Sequence, residues 1–364
     1  MAPMEVSSRA ERLQAALAEA EVDALLVTNL TNIRYLTGFT GSAAMLLVAR
    51  TGLTFVTDGR YGQQAEAQLA AAGVRAAVEV SGTAQREAVT AAVGAAAVTR
   101  LGLEADAVTW LAQRTYDQDW FPELNLVPTT GLVGGLRLHK DDGEIDRIAS
   151  ACSIADTALA QVRGLLAERP TEVEFGLELD TAMRRLGADD VSFETIVASG
   201  PNGARPHHRP GQRTIVEGDL VVVDFGALID GYHSDMTRTV MVGKPSATQA
   251  RMYEVVIEAQ AAGVDVVADG VPAKAVDDAC RQVIAAAGWL GAFLHGTGHG
   301  VGLDIHEDPR VNQTSDATLS TRCVVTVEPG VYLPEHGGVR IEDTVVVTPH
   351  GCRPVTLSPK SPAV

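Results

Sequence analysis

Apolar positions recur at helical spacing over residues 9–21, where Ala10, Leu13, Ala16, Leu17 and Ala20 fall on one face. Shorter apolar runs follow at 24–28, 43–49 and 53–57, bounded by Gly, Asn and Asp as buried strands are. Helical spacing at 61–72 and 83–97 alternates with strand-like runs at 76–80 and 100–103. The first third of the chain therefore predicts a self-contained α/β domain. A Gly-rich break at 129–135 closes it, so the expected domains are residues 1–132 and 133–364.

Beyond the break, Asp141, Asp142 and Glu144 supply the acidic first turn of a long helix, as the helix dipole favours. Ile145, Ile148, Cys152, Ala155, Leu159, Val162 and Leu166 continue it with a 3.6-residue period. A second helix is expected at about 173–186, after Pro170. From Phe193 onward β-branched runs dominate, at 195–198, 220–224, 324–327 and 344–348. Two further helices, about 247–268 and 273–287, lie between them. Helices, strands, helices, strands is the order of an α+β domain whose helices cover a curved, mainly antiparallel sheet. The helix–helix–hairpin order occurs twice.

Composition narrows the partners more than the fold. Hydrophobic residues make up 46% and charged residues 21%, an ordinary globular balance. A formal net charge of -17 gives no summed positive field to attract nucleic acid or an anionic membrane. No run approaches the roughly 18 apolar residues that span a bilayer, and the first residues lack the apolar core of an export signal. Cys152, Cys280, Cys323 and Cys352 are scattered without a CxxC pair. They read as reduced thiols, and the expected compartment is the cytoplasm.

The candidate chemistry lies in three segments. In the first, an apolar strand ends on Asp224, turns at Asp230 and Gly231, and returns to Asp235. In the second, a strand delivers Glu328, a Pro/Gly-rich loop follows, and the return carries Arg340 and Glu342. The third is Gly-rich and holds His295, His299 and His306 at intervals of four and seven. It matches no phosphate-binding loop, because no Lys follows and the GxGxxG spacing is missing. Two acids brought side by side on β-structure repel unless a cation or proton intervenes. Four carboxylates and an imidazole suit a binuclear site, whose two divalent ions lie about 3.5 Å apart and acidify a shared water. Oxygen-rich ligation favours Mn²⁺ and tolerates Co²⁺, Zn²⁺ or Fe²⁺.

With these residues the chain resembles the pita-bread metallopeptidases, in particular their proline-specific branch of Xaa-Pro dipeptidases (prolidases) and aminopeptidase P. The resemblance is densest from Phe193 to Thr348. It reaches the front of the chain through residues 32–42 and 57–61, which resemble the creatinase/prolidase N-terminal domain. It implies that Asp224 binds one metal, that His299 and Glu328 serve the other, and that Asp235 and Glu342 bridge both. It further implies that Glu328 takes the proton of the attacking hydroxide, that His207 and His295 line the substrate pocket, and that His306 steadies the oxyanion. Arg340 corresponds to an arginine beside the bridging glutamate. Tyr232 and Asp343 are candidates for supporting hydrogen bonds. Relatives of this kind are dimers, so a homodimer is expected.

The implied reaction is hydrolysis of a peptide bond whose nitrogen belongs to proline, in dipeptides or short peptides. Arg310 corresponds to an arginine that some prolidases use for the free carboxylate of Xaa-Pro, which favours a dipeptidase. Aminopeptidase P acting on longer peptides is the alternative. A non-catalytic pita-bread binding protein is more remote, since such relatives lose ligands.

Overall fold

The computed structural model describes residues 1–82 and 84–364. The chain divides into two units, residues 4–137, and residues 138–364 together with 1–3.

In the unit of residues 4–137, six strands form one sheet in the order Ala77–Val80, Gly52–Thr57, Ala44–Ala49, Ala24–Val27, Arg100–Glu104, Asn125–Thr129. Leu26, Leu47, Val56 and Leu101 of the sheet pack with Val89 and Val93 of the helix Gln85–Ala95. Thr83, with which that helix was expected to begin, lies outside the described residues. The first helix is shorter than its apolar spacing suggests, Arg9–Ala16. Helix Leu30–Thr37 has no counterpart in the periodicity. It forms where the Asn29 side chain accepts from the Thr31 and Asn32 amides, and it stops at Gly38 with φ 75°. Residues 129–135 are not an open break, because strand Asn125–Thr129 runs into helix Leu132–Arg137. Val133 is buried there, and Arg137 donates to Asn32 Oδ1 at 2.9 Å, so this unit continues to Arg137 rather than stopping at residue 132.

The unit of residues 138–364 is built from two similar halves. Helices Asp142–Val162 and Glu172–Arg185 cover strands Ile196–Ser199, Leu220–Phe225 and Met236–Met241. Leu159, Phe175, Leu179, Val221, Val223 and Met236 form that half's core. Helices Ala247–Val266 and Ala273–Ala286 cover a second sheet that includes Gly298–Gly300, Val324–Val327 and Asp343–Thr348. Val256, Val276, Cys280, Val325 and Val345 belong to its core. Three of the four helices begin with reciprocal capping boxes, Asp141 with Glu144, Thr171 with Glu174 and Ser246 with Gln249. Strand pairing in both halves is antiparallel. All four cysteines are free. Among the described residues no helix is long and apolar enough to cross a membrane.

Candidate metal centre

The first hairpin is closed by Asp230 and Gly231, at φ 45° and 74°, the left-handed values that a two-residue turn of this kind requires. The returning chain then pairs Thr237 with Asp224 and Met236 with Phe225, which leaves Asp235 beside Asp224 at one end of the sheet. The second half supplies the rest. His299 sits in the strand Gly298–Gly300, its amide donating to Thr326 Oγ1 at 3.1 Å. Glu328 follows Val324–Val327, tied through its amide to the Thr297 carbonyl at 2.7 Å. Glu342 lies between two strands, and its amide donates to the Thr237 carbonyl at 3.1 Å. That last bond joins the halves where the carboxylates meet.

Ligand-type atoms of Asp224, Asp235 and Glu342 lie within 4.8 Å of one another. Burial pushes the Asp235 carboxyl well above its usual range, and Glu342, Asp224 and Glu328 push it further. Burial does the same to Glu342, helped by Glu328 and Asp224. Glu328 is raised to about 8, again chiefly by burial, with Arg340 opposing. Asp224 Oδ1 and Glu342 Oε1 are buried and, among the described residues, accept no hydrogen bond. Such atoms are costly unless something positive reaches them.

The imidazole of His299 points to the same answer. Its Nδ1 lies 3.0 Å from the Gly300 carbonyl, so Nδ1 carries the proton and Nε2 presents a lone pair. That lone pair lies 3.5 Å from both Asp235 Oδ2 and Glu328 Oε1. Burial holds the ring down to about 4, hence neutral. An acceptor facing two acceptors, with orphaned carboxylate oxygens alongside, fits divalent cations.

The cavity beside this cluster has a volume of about 490 Å³. His207, His295, His306, Arg310 and Arg340 are all on its wall. The His306 ring meets His299 edge-on at 4.4 Å. Its approach loop is fixed by Glu307, which accepts from the Asp304 amide at 3.0 Å and pairs with the buried Lys140 at 3.0 Å. His207 and Arg310 are exposed, and among the described residues neither side chain has a hydrogen bond or ion pair of its own. His295 is fully engaged. Arg340 Nη1 donates to the Tyr332 hydroxyl at 2.8 Å, and that hydroxyl donates to His295 Nε2 at 2.8 Å. His295 Nδ1 is 2.7 Å from the Gly296 carbonyl, and burial lowers the ring to about 4. Arg340 also donates to Asp224 Oδ2 at 2.6 Å and to Thr237 Oγ1 at 3.1 Å. Its guanidinium is thus engaged by protein groups, Asp224 among them.

The two halves and the buried acids between them match a described family over residues 146–349, metallopeptidase family M24. Residues 9–139 match the creatinase/prolidase N-terminal domain. The chain belongs to metallopeptidase family M24.

As an M24 chain it is 41% identical to the uncharacterized peptidase YqhT of Bacillus subtilis, over 96% of this chain and 98% of that one. The solved Xaa-Pro dipeptidase from Bacillus anthracis superposes with TM-score 0.93 at 39% identity, covering 97% of this chain and 98% of that one. The X-Pro aminopeptidase from Thermotoga maritima superposes with TM-score 0.88 at 33% identity, over 98% and 100% of the two chains. The fold is thus a creatinase-type N-terminal domain followed by a pita-bread domain, and the protein is a metal-dependent peptidase.

Several residues of this M24 site went unnoticed in the sequence, Thr237 and Thr326 among them. Each stands two positions from an acid, at Asp235 and Glu328, as the expected Arg340 does from Glu342. A period of two places such pairs on one face of a strand, and that signal was readable. The Thr237 hydroxyl donates to Glu342 Oε2 at 2.9 Å, and Thr326 bonds Glu328. Tyr332 had no such signal. Of the two supporting residues expected, Tyr232 donates instead to Glu144 at 3.0 Å. Asp343 pairs with Arg238 at 2.9 Å and Lys360 at 2.5 Å, next to Glu342 in the chain.

Proposed function

We propose that this protein hydrolyses Xaa-Pro peptide bonds and that its preferred substrates are Xaa-Pro dipeptides. The near full-length likeness to the Bacillus anthracis Xaa-Pro dipeptidase supports the reaction. The observation that carries the dipeptide preference is the uncommitted guanidinium of Arg310 on the wall of the acid-lined cavity, available to a substrate carboxylate. Asp224, Asp235, His299, Glu328 and Glu342 would hold two divalent cations, manganese fitting this oxygen-rich set. The bound cations supply Lewis acidity and a water acidified towards neutrality. Glu328 would take a proton from the attacking water as its oxygen bonds to the scissile carbonyl carbon, and return it to the prolyl nitrogen as the C–N bond breaks. His306 donates to the developing oxyanion, and His207 and the ring of His295 bound the pocket. A prolyl nitrogen carries no N–H, and recognition here asks for none. The same reading carries a homodimer and a cytoplasmic setting.

Aminopeptidase activity on longer peptides is the second reading. Arg310 and Asn312 also wall an adjoining cavity of about 400 Å³, which gives a chain extending past proline somewhere to go. Rates on Ala-Pro and Ala-Pro-Ala, measured with the chelated and the manganese-loaded protein, test both readings. Turnover of the dipeptide in preference, abolished by chelation and restored by manganese, is expected. Preference for the tripeptide selects the second reading, and full activity without metal overturns the mechanism.

A further inference from the structure

A second buried acid, apart from the carboxylate cluster, collects five hydrogen bonds on one carboxylate. Glu172 opens the helix Glu172–Arg185 just after its N-cap Thr171 and is fully buried. Its Oε1 accepts from the Ser199 amide at 2.8 Å, the Ser199 hydroxyl at 2.7 Å and Asn202 Nδ2 at 2.9 Å. Its Oε2 lies 2.8 Å from His208 Nε2 and accepts from the Gly211 amide at 3.1 Å. Burial alone would raise this carboxyl, yet Asn202, Ser199 and His208 together hold it below its ordinary value. The helix N-terminus adds its positive end.

All four donor residues belong to one stretch, residues 199–211. That stretch leaves the strand Ile196–Ser199, whose Ile196 pairs with Asp224, and it carries His207 to the cavity wall. His207 has no polar side-chain partner of its own among the described residues, so its place is set by the chain around it. On one side the Pro206 carbonyl accepts from Arg340 Nη1 at 3.3 Å. On the other, His208 is turned to Glu172.

We infer that Glu172 is a positioning residue for the peptidase reaction: by gathering residues 199–211 onto one buried carboxylate, it fixes where His207 stands on the cavity wall. Only the catalytic part played by His207 rests on the Xaa-Pro reading above.

A double-mutant cycle of Glu172→Gln and His207→Ala in the manganese-loaded full chain tests this. Glutamine keeps the volume, but its amide nitrogen cannot accept, so one side of the cradle is lost. Glu172→Gln should lower kcat/KM for Ala-Pro about tenfold in the wild-type background and less than about twofold in the His207→Ala background. Metal content should not change. Equal losses in both backgrounds overturn the inference. Should Glu172→Gln fail to fold, His208→Ala removes the single side-chain contact to Glu172 and enters the same cycle with an expected loss of about threefold. A readout independent of turnover uses zinc-loaded protein with ¹⁵N-labelled histidine. The His207 ring resonances should move in either variant while those of His306 stay, and unmoved His207 resonances overturn the inference. A wild-type protein that cleaves no Xaa-Pro peptide removes the Xaa-Pro reading and leaves the resonances to decide this one.

Discussion

Glu328 pays for its charge with burial, which holds its carboxyl up to about 8, while Asp224 adds to that strain and Arg340 and Thr326 relieve it. The same carboxylate is the proposed proton carrier, so chemistry and stability ask opposite things of it. Glu328→Gln separates them, because the amide keeps the shape and drops the charge. With saturating manganese, kcat should fall about 10²–10⁴-fold, the span that general acid–base catalysis covers. The metal-free variant should instead melt about a few degrees above the metal-free wild type at pH 8, since a buried group that had to ionise no longer does. Thermal melts and steady-state rates on the same preparations check both halves. A kcat within about tenfold of wild type, or a lowered melting temperature, would refute this account of the site.

At the scale of elements, the strand Gly298–Gly300 sets how close His299 comes to the acids. A Cβ placed on Gly298 would stand 2.0 Å from the Thr326 carbonyl oxygen, and that oxygen is backbone and cannot swing away. Gly298→Ala should therefore lift this strand off Val324–Val327, at a cost of about 1–3 kcal/mol of overpacking. His299 then leaves its place beside Asp235 and Glu328, and calorimetric titration should show manganese affinity weakened by about tenfold or more. Unchanged affinity would mean that the strand accommodates the methyl and that its closeness is incidental. The elements also show what periodicity can and cannot carry. The Asp224–Asp235 hairpin was legible because Asp230 and Gly231 announce the turn locally, and the helix opened by Asp141 was legible through its acidic first turn and its spacing. Helix Leu30–Thr37 was not, because it rests on one Asn29 cap and eight residues of mixed polarity. Nor were the partners of Glu172 and Tyr332. The Glu172 bonds and the Tyr332–His295 bond cross 27 to 39 residues of chain, and no local pattern encodes a contact between segments that meet only in the folded protein.

For the molecule as a whole, 46 acidic residues against 29 Lys and Arg leave little reason to bury more negative charge, and removing the cations does that. In the metal-free protein Asp235, Glu328 and Glu342 all have raised carboxyls, Glu328 to about 8. Between their ordinary values, 3.8 for Asp235 and 4.5 for the two glutamates, and these raised ones, the folded chain holds more protons than the unfolded chain. Folding stability therefore falls as pH rises through the window, by up to about 1.4 kcal/mol per pH unit for each group. The buried histidines act oppositely lower down. His295 and His299 are held to about 4, so they favour folding as pH rises from there to about 6.5 and contribute no slope above it. From about pH 6.5 to pH 8 the carboxylates stand alone, and the metal-free melting temperature should fall across that interval. Cations held by the same acids keep them ionised throughout, so the loaded protein should show no such fall and the gap between the two should widen with pH. Scanning calorimetry of chelated and manganese-reloaded protein across this interval measures the gap directly. A constant gap would mean that the buried acids share no proton with the solvent in the metal-free state, and that some protein group already neutralises them.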